Sequence, residues 1–223
     1  MKTLPNYKFV VGDSTKLLKK IDNGVIPVIV TGLPDIEELG MSDVDEYLNW
    51  FEMTAELILH KTSNDGYAVF IQTDRKINGM WIDKSYHLSK VADSLGFKLM
   101  WHKICLNRPV GSANLHRPTY SHLLAFSKSG RPGNGLPDVI EAKNSDRLYD
   151  NATPMVALQL VMDFLKNKMP KHSQGNFPYQ IVDPFVGMGS VVYMALKNGF
   201  SAIGIDIDAD QIDKSEELIQ NMY

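Results

Sequence analysis

The chain has 223 residues, 44% of them hydrophobic, and at this length roughly 70% of the unfolded surface can be buried, which favours one large domain over two small ones. Its 23 basic and 26 acidic residues give a net charge of −3, which excludes binding to nucleic acid through net charge alone but leaves a local basic face open. The one cysteine, Cys105, excludes a disulfide framework and a thiolate zinc cluster, and no stretch approaches the ~20 apolar residues of a membrane span. We therefore expect a soluble, intracellular protein without a metal site.

The first half of the chain predicts short strands that alternate with helices. The predicted elements are a strand at 7–11, a strand at 25–31, a helix that begins at a capping box of Ser42 and Asp45, a strand at 66–73 and a helix at 84–95. Strands that alternate with helices predict a mostly parallel sheet that is covered on both faces.

The second half begins with a predicted hairpin of two longer strands and ends in two strand–helix units. The predicted elements are strands at 97–105 and 120–128, a loop without a core of its own at 129–150, a helix that Thr153 caps and Pro154 opens, a strand at 179–183, a helix at 190–198, a strand at 202–206 and a helix at 210–221. The fold class is thus α/β, a doubly wound parallel sheet with an antiparallel hairpin near one edge, in a single domain.

The most informative segment, VDPFVGMGSVVYMALKNGFSAIGIDID, begins at Val182. A strand ends in Asp183, a glycine turn follows, and a second strand ends in Asp206, whose carboxylate can bind a pair of ribose hydroxyls. A nicotinamide dinucleotide is disfavoured, because Val192 stands where its fingerprint has a third glycine and because Asp183 would repel a pyrophosphate by several kcal/mol. A carboxylate there suits a cationic ligand such as S-adenosylmethionine. An ordinary βαβ unit without a ligand is the alternative.

DPFVGMG followed by GIDID resembles the cofactor motif of the permuted DNA amino-methyltransferases. The opening VGDSTKLLKKI, the NATP at 151–154 and the HLLAFSK at 122–128 are similar to further segments of that family. The resemblance implies a Rossmann-like methyltransferase fold in circularly permuted order, with a catalytic half at about 1–128, a substrate loop at 129–150 and a cofactor half at 151–223. It also implies S-adenosylmethionine as cofactor, held by Asp13, Asn151, Thr153, Asp183, Phe185, Gly187, Gly189 and Asp206.

The chain departs from the family at the catalytic tetrapeptide. The family has Asp, Asn or Ser, then two prolines and an aromatic residue, whereas this chain has Gly32-Leu33-Pro34-Asp35 after its second strand. The candidate catalytic residues are Thr31, Pro34 and Asp35, with Asp35 as the group that takes a proton from the methyl acceptor. Alternatively, Asp35 caps a turn, and the protein is an inactive subunit that supports an active partner.

A basic segment indicates nucleic acid, DNA or RNA, as the substrate. No Asp or Glu occurs from Ser94 to Pro137, so Lys103, Arg108 and Arg117 can contact phosphates, and Trp81 can contact a base. A solvated basic face is the alternative, and methylation of a small molecule would leave these charges dispensable. Because no independent target-recognition domain is evident, we expect sequence specificity to be slight, to depend on the structure of the substrate, or to be supplied by a protein partner or a second copy of the chain.

Overall fold

Short β-branched runs and longer amphipathic segments alternate along the chain, and the secondary structure follows them. The structure is a computed structural model that describes residues 5–132, 135–150, 152–169 and 177–222. Its strands are β1 (Tyr7–Val11), β2 (Ile26–Thr31), β3 (Thr62–Gln72), β4 (Arg75–Ile77), β5 (Met80–Ile82), β6 (Lys98–Leu106), β7 (Tyr120–Ser127), β8 (Val139–Glu141), β9 (Ile181–Asp183) and β10 (Ala202–Asp206). Its helices are α1 (Ser14–Lys19), α2 (Val44–Lys61), α3 (Lys84–Ser94), α4 (Met155–Lys168), α5 (Ser190–Lys197) and α6 (Ala209–Gln220), with a short 3-10 helix at Asn144–Asp146.

Eight of these strands form one sheet in the order β1-β10-β9-β2-β3-β7-β6-β8. The first five are parallel to one another, and β7 is antiparallel to both of its neighbours. β9 and β10, from the end of the chain, lie between β1 and β2, from its beginning. The carboxyl ends of five parallel strands therefore meet at one edge, which is where ligands bind in open α/β sheets.

The sheet separates two hydrophobic clusters, and β2 contributes to both. Its residues are all buried, with Val28 and Val30 facing α4, α5 and α6 and Ile29 facing α1, α2 and α3. Side chains of a strand point to alternate faces, so a strand covered by helices on both faces is apolar throughout. This confirms the predicted parallel sheet with helices on both faces.

Several predicted boundaries were wrong for local reasons. Asp43, rather than Ser42, caps α2, because its carboxylate accepts the Glu46 backbone N–H at 2.8 Å. Pro154, rather than Thr153, occupies the cap position of α4.

Two predicted loops contain strands. Residues 129–150 include β8, which pairs in parallel with β6 and places Ile140 against the core. Trp81, predicted in a loop, lies in β5, which forms a hairpin with β4. The hairpin turns at Asn78 and Gly79, both with positive φ. Among the described residues, no helix is long and apolar enough to cross a lipid bilayer.

Candidate functional site

A cleft of ≈ 720 Å³ lies at the carboxyl edge of the parallel strands. Its size is typical of sites for small molecules and cofactors. It is lined by residues that follow β1, β2, β9 and β10, by α2 and α5, and by the segment before α4. Of the predicted site residues, the cleft is lined by Asp13, Pro34, Thr153, Asp183, Phe185, Gly187 and Asp206.

The turn after β9 brings the backbone to the cleft. Gly187 and Gly189 have φ values of 52° and 88°, in a region that residues with a Cβ rarely adopt. A Cβ at Gly189 would also lie 3.0 Å from Ser215. The Gly187 N–H donates to Asp206 Oδ2 at 2.8 Å, which joins the turn to the end of β10. Gly189 supports this turn without lining the cleft.

Asp183 is the buried carboxylate of the cleft, with a relative exposure of 2%. Thr31 Oγ1 donates to its Oδ1 at 2.7 Å, and the Phe185 N–H donates to the same oxygen at 3.1 Å. Burial raises the pKa of Asp183 to about 7, although both hydrogen bonds oppose that change. Burial thus disfavours the charged form of this carboxylate, and a cation bound beside it would stabilise that charged form.

The charged residues that line the cleft are all acidic. They are Asp13, Glu38, Asp183, Asp206 and Asp208. Among the described residues, neither Lys nor Arg lines the cleft. Such a surface repels phosphates and attracts cations, which disfavours a dinucleotide more strongly than Asp183 alone does.

The predicted catalytic residues occupy three different environments. Thr31 is buried beneath the cleft against Asp183, whereas Pro34 lines the cleft. Asp35 is 7% exposed; its Oδ1 pairs with Lys84, and its Oδ2 pairs with Arg117 at 2.8 Å. Both oxygens of the proposed base therefore face cations.

The predicted substrate residues lie outside the cleft lining. Arg108 is exposed, and Arg117 reaches Asp35 from a half-exposed position. Lys103 is buried, and its ammonium donates to the Leu136 carbonyl at 2.9 Å and pairs with Asp138 at 3.1 Å. Trp81 is 48% exposed on the β4–β5 hairpin. Asn151, predicted to bind the cofactor, lies outside the described residues.

Three residues near the site were not predicted. Trp50 lines the cleft and packs edge-to-face on Phe185, with a centroid distance of 6.0 Å; its position at helical spacing from apolar residues of α2 is typical of a core residue and gives no sign of this role. Tyr149 lines the cleft from the 129–150 segment, and its hydroxyl accepts from Ser190 Oγ at 2.8 Å. Lys84 is fully buried beneath Asp35, and burial lowers its pKa while Asp35 opposes that change.

Comparisons with known proteins identify the fold. No family model matches the sequence, and no curated protein is similar to it in sequence. A candidate DNA modification methylase from Thermus thermophilus, solved with S-adenosyl-L-methionine, aligns with a TM-score of 0.71 at 14% identity, over 96% of this chain and 93% of the other. The cytosine-N4-specific PvuII DNA methyltransferase aligns with a TM-score of 0.67 at 18% identity, over 100% of this chain and 94% of the other.

A third solved structure, the M1.HpyAVI complex with S-adenosylmethionine, aligns with a TM-score of 0.64 at 11% identity. The alignment covers 95% of this chain and 99% of the other. The chain therefore has the fold of these methyltransferases: one large, mostly parallel sheet with β7 antiparallel, and a separate small hairpin.

Proposed function

We propose that the protein is a methyltransferase that uses S-adenosylmethionine and acts on nucleic acid. The acid-lined cleft at the carboxyl ends of β9 and β10 carries this proposal. A sulfonium, an ammonium and a ribose without phosphate match that surface, because each of these groups is attracted by, or donates to, a carboxylate. The fold shared with solved DNA methyltransferases supports DNA as the substrate.

The cofactor residues divide by chemistry. Asp206, at the end of β10, is proposed to accept from the ribose hydroxyls, and Asp13, the N-cap of α1, is proposed to lie near the adenine; that both line the cleft supports this. Asp183 is the proposed partner of the positive charges. Phe185 and Trp50 offer apolar surface beside it. The cofactor supplies an activated methyl group when it is bound, and the chain supplies position and proton acceptance.

The permuted order of motifs belongs to the proposal as well. The position of β9 and β10 between β1 and β2 supports it, because the cofactor strands come last in the chain and lie next to the strand that carries Thr31 and Pro34. That neighbour relation brings the proposed catalytic loop to the same cleft as the cofactor.

Asp35 is proposed to orient the methyl acceptor and to take its proton. Lys84 holds its buried oxygen, whereas Arg117 approaches the other oxygen from a half-exposed position. A donor N–H of the acceptor can replace Arg117 at Oδ2 without breaking the buried pair. Gly32, the first residue of this loop, has no side chain that could obstruct the acceptor. A Cβ there would lie only 3.0 Å from the Ile71 carbonyl oxygen, so a larger residue would fit poorly.

An inactive subunit is the second candidate function. It is supported by the same loop, because both Asp35 oxygens are paired with cations and because Gly32 offers no side chain to accept from an amino group. Methylation of a small molecule is the third. It predicts that reversal of Arg108 leaves activity unchanged.

Calorimetry and a transfer assay test these alternatives. We expect S-adenosylmethionine to bind, its neutral thioether product to bind less tightly at Asp183, and NAD to be rejected by the acidic cleft. Radiolabelled methyl groups should then appear on DNA or RNA. Absence of binding at millimolar cofactor contradicts the proposal. Binding without transfer to either nucleic acid leaves the inactive subunit and the methylation of a small molecule as the two alternatives.

A further inference from the structure

The β4–β5 hairpin and the loop at 107–119 form one joined surface next to the cleft. The Lys76 N–H donates to the His116 carbonyl at 2.9 Å, and Lys76 Nζ donates to the Asn114 carbonyl at 3.0 Å. Asn114 Oδ1 in turn accepts the His116 N–H at 2.9 Å. We call residues 75–82 and 107–119 together the outer platform. Its two segments are far apart in sequence but are fixed to each other through backbone groups.

The outer platform exposes large apolar side chains that the fold does not use. They are Met80 (61% exposed), Trp81 (48%), Val110 (89%) and Leu115 (86%). Clustered exposed hydrophobic residues indicate an interaction site, whereas isolated ones do not.

Trp81 is held rigidly within this surface. Its indole N–H donates to Asp74 Oδ2 at 2.9 Å, and Lys76 Nζ lies 4.7 Å from its ring centroid. Asp74 is itself fixed, because its carboxylate also accepts from the Lys84 N–H at 3.0 Å and lies 3.1 Å from His122 Nε2. An aromatic ring that is immobilised, exposed and next to a cation loses little entropy when a flat ligand stacks on it.

The outer platform itself contains only basic charged residues, although Asp74 and Asp83 flank its hairpin. Its two segments contain Arg75, Lys76, Arg108 and Arg117 and no Asp or Glu. Arg75 pairs with Glu37, and Arg117 pairs with Asp35, so two of the cations attach the surface to the loop that follows β2. Arg108 is exposed and makes no salt bridge within the described part of the chain.

We propose that the outer platform binds an unpaired, single-stranded polynucleotide, with a base stacked on Trp81 and phosphates near Arg108 and Lys76. This proposal rests on the proposed function and narrows its substrate to a strand presented without its complement. Aromatic stacking beside cations is the usual means of binding single strands, because each unpaired base offers a free face. In a duplex both faces of a base are covered, so Trp81 has no partner there.

Fluorescence anisotropy with short labelled oligonucleotides tests the proposal. The ligands are a single-stranded DNA, a single-stranded RNA of the same sequence, and the DNA duplex. We expect the single strands to bind more tightly than the duplex by at least about fivefold, the value of one stacking contact. Comparison of the single-stranded DNA with the single-stranded RNA shows which polynucleotide is preferred. If the outer platform instead binds a protein, none of the three oligonucleotides should bind.

Variants of Trp81 and Arg108 locate the contact. Trp81→Ala should weaken single-strand binding by about 5- to 100-fold, whereas Trp81→Phe, which keeps an aromatic face, should retain most of it. Arg108→Glu should weaken binding and lower the slope of log affinity against log salt by about 0.7. The matched control is Lys98→Glu, an exposed lysine in the same acid-free segment at the opposite end of β6; it should change nothing.

A second measurement does not depend on the folding of Trp81→Ala. Stacking should quench tryptophan fluorescence of the wild-type protein when a single strand is added, and Trp81→Phe should abolish that quenching. Wild-type affinity in Trp81→Ala, unaltered quenching in Trp81→Phe, or equal affinity for duplex and single strand overturns the proposal.

The outcome is separable from the proposed function. The protein could transfer methyl groups to duplex DNA and yet bind single strands no better than duplex. That result would contradict the role proposed for the outer platform and would support the proposed methyltransferase. If the wild-type protein does not bind S-adenosylmethionine, the proposed methyltransferase function is contradicted, whether or not the outer platform binds single strands.

Discussion

The two walls of the cleft are stabilised in different ways. The turn of the cofactor wall, residues 183–208, is closed by contacts within a short stretch of sequence: the Gly187 N–H and the Asp208 N–H both donate to Asp206. One distant side chain, Thr31, adds a hydrogen bond to Asp183. The acceptor wall, residues 31–38, is joined to the outer platform and to the start of α3 by side chains that are distant in sequence. Asp35 pairs with Lys84 and with Arg117, and Glu37 pairs with Arg75.

This difference determines how each wall responds to substitution. On the cofactor wall, loss of the Asp206 carboxylate should remove a proposed ligand contact and two hydrogen bonds of the turn, while the pairing of β9 with β10 still holds the strands. On the acceptor wall a lost carboxylate leaves a buried cation without its partner, which destabilises the whole fold. The same type of residue is therefore proposed to bind the cofactor on one wall and to stabilise the fold on the other.

The largest effect is expected for Asp35→Asn. Lys84 is fully buried, so removal of its partner should lower the free energy of unfolding by about 3–5 kcal/mol. Urea denaturation measures this value. The double variant Asp35→Asn/Lys84→Met, which neutralises both members, should recover most of the loss.

Asp93→Asn, at an exposed position on α3, is the control for removal of a carboxylate. If Asp35→Asn is as stable as this control, Asp35 and Lys84 are not a structural pair. For the catalytic role, activity is compared between Lys84→Met and the double variant, which differ in Asp35 but not in the buried cation. A rate loss of at least tenfold between them, typical of a lost base, supports proton acceptance by Asp35.

On the cofactor wall, Asp206→Ala should weaken S-adenosylmethionine binding by about 1–3 kcal/mol, through loss of charge-assisted hydrogen bonds to the ribose. Calorimetry measures the affinity. Because the substitution also removes the acceptors of the Gly187 and Asp208 N–H groups, urea denaturation of the same variant measures the loss of stability separately, and affinities are compared where the variant is folded. Asp210→Ala is the matched control, since Asp210 lies in the first turn of the adjacent α6 and does not line the cleft. Equal affinities of the two variants would place the ribose elsewhere.

How well each wall could be predicted follows from the same difference. The strand, glycine turn and second strand of the cofactor wall form one contiguous pattern, so β10 was predicted with its observed bounds and Asp183, Gly187 and Asp206 were predicted to meet. The turn needs glycine at the two positions with positive φ and an acceptor at the end of β10, and all three residues belong to the sequence pattern.

The acceptor wall could not be predicted in this way. No local pattern connects Asp35 with Lys84, 49 residues later, because the contact exists only once the loop after β2 meets the start of α3. The β4–β5 hairpin is too short for periodicity to reveal, and β8 has three residues. Asp35 was consequently predicted as a catalytic residue without the two cations that surround it.

A pH titration of cofactor binding examines the buried carboxylate of the cofactor wall. With a pKa of about 7, Asp183 is protonated in acid, and its charged form is the one that pairs with a cationic cofactor. Affinity for S-adenosylmethionine should therefore rise on the order of tenfold from pH 5.5 to 7.0. The amino group of the cofactor stays charged in that window.

Asp183→Asn is the control, and its affinity should be independent of pH across the window. The free protein should show the opposite trend. Because the folded-state pKa lies above the ordinary value of 3.8, the native state binds the proton more tightly, and this carboxyl lowers stability as the pH rises towards 7. If the affinity of the wild-type protein is unchanged from pH 5.5 to 7.0, Asp183 does not pair with the positive charges of the cofactor.

The smallest effect is expected at a hydrogen bond that joins the 129–150 segment to the cofactor wall. Ser190 Oγ, at the start of α5, donates to the Tyr149 hydroxyl at 2.8 Å. Tyr149→Phe removes the acceptor and keeps the ring, so the free energy of unfolding should fall by about 0.5–1.5 kcal/mol. Tyr193→Phe makes the same chemical change on α5, where the described hydrogen bonds do not include the hydroxyl, and should have a smaller effect in the same urea titration. If the two variants are equally stable, the hydrogen bond between Tyr149 and Ser190 contributes no stability. The distant 129–150 segment is then held by packing, and the hydrogen bonds that stabilise the cofactor wall are those within its own stretch of sequence.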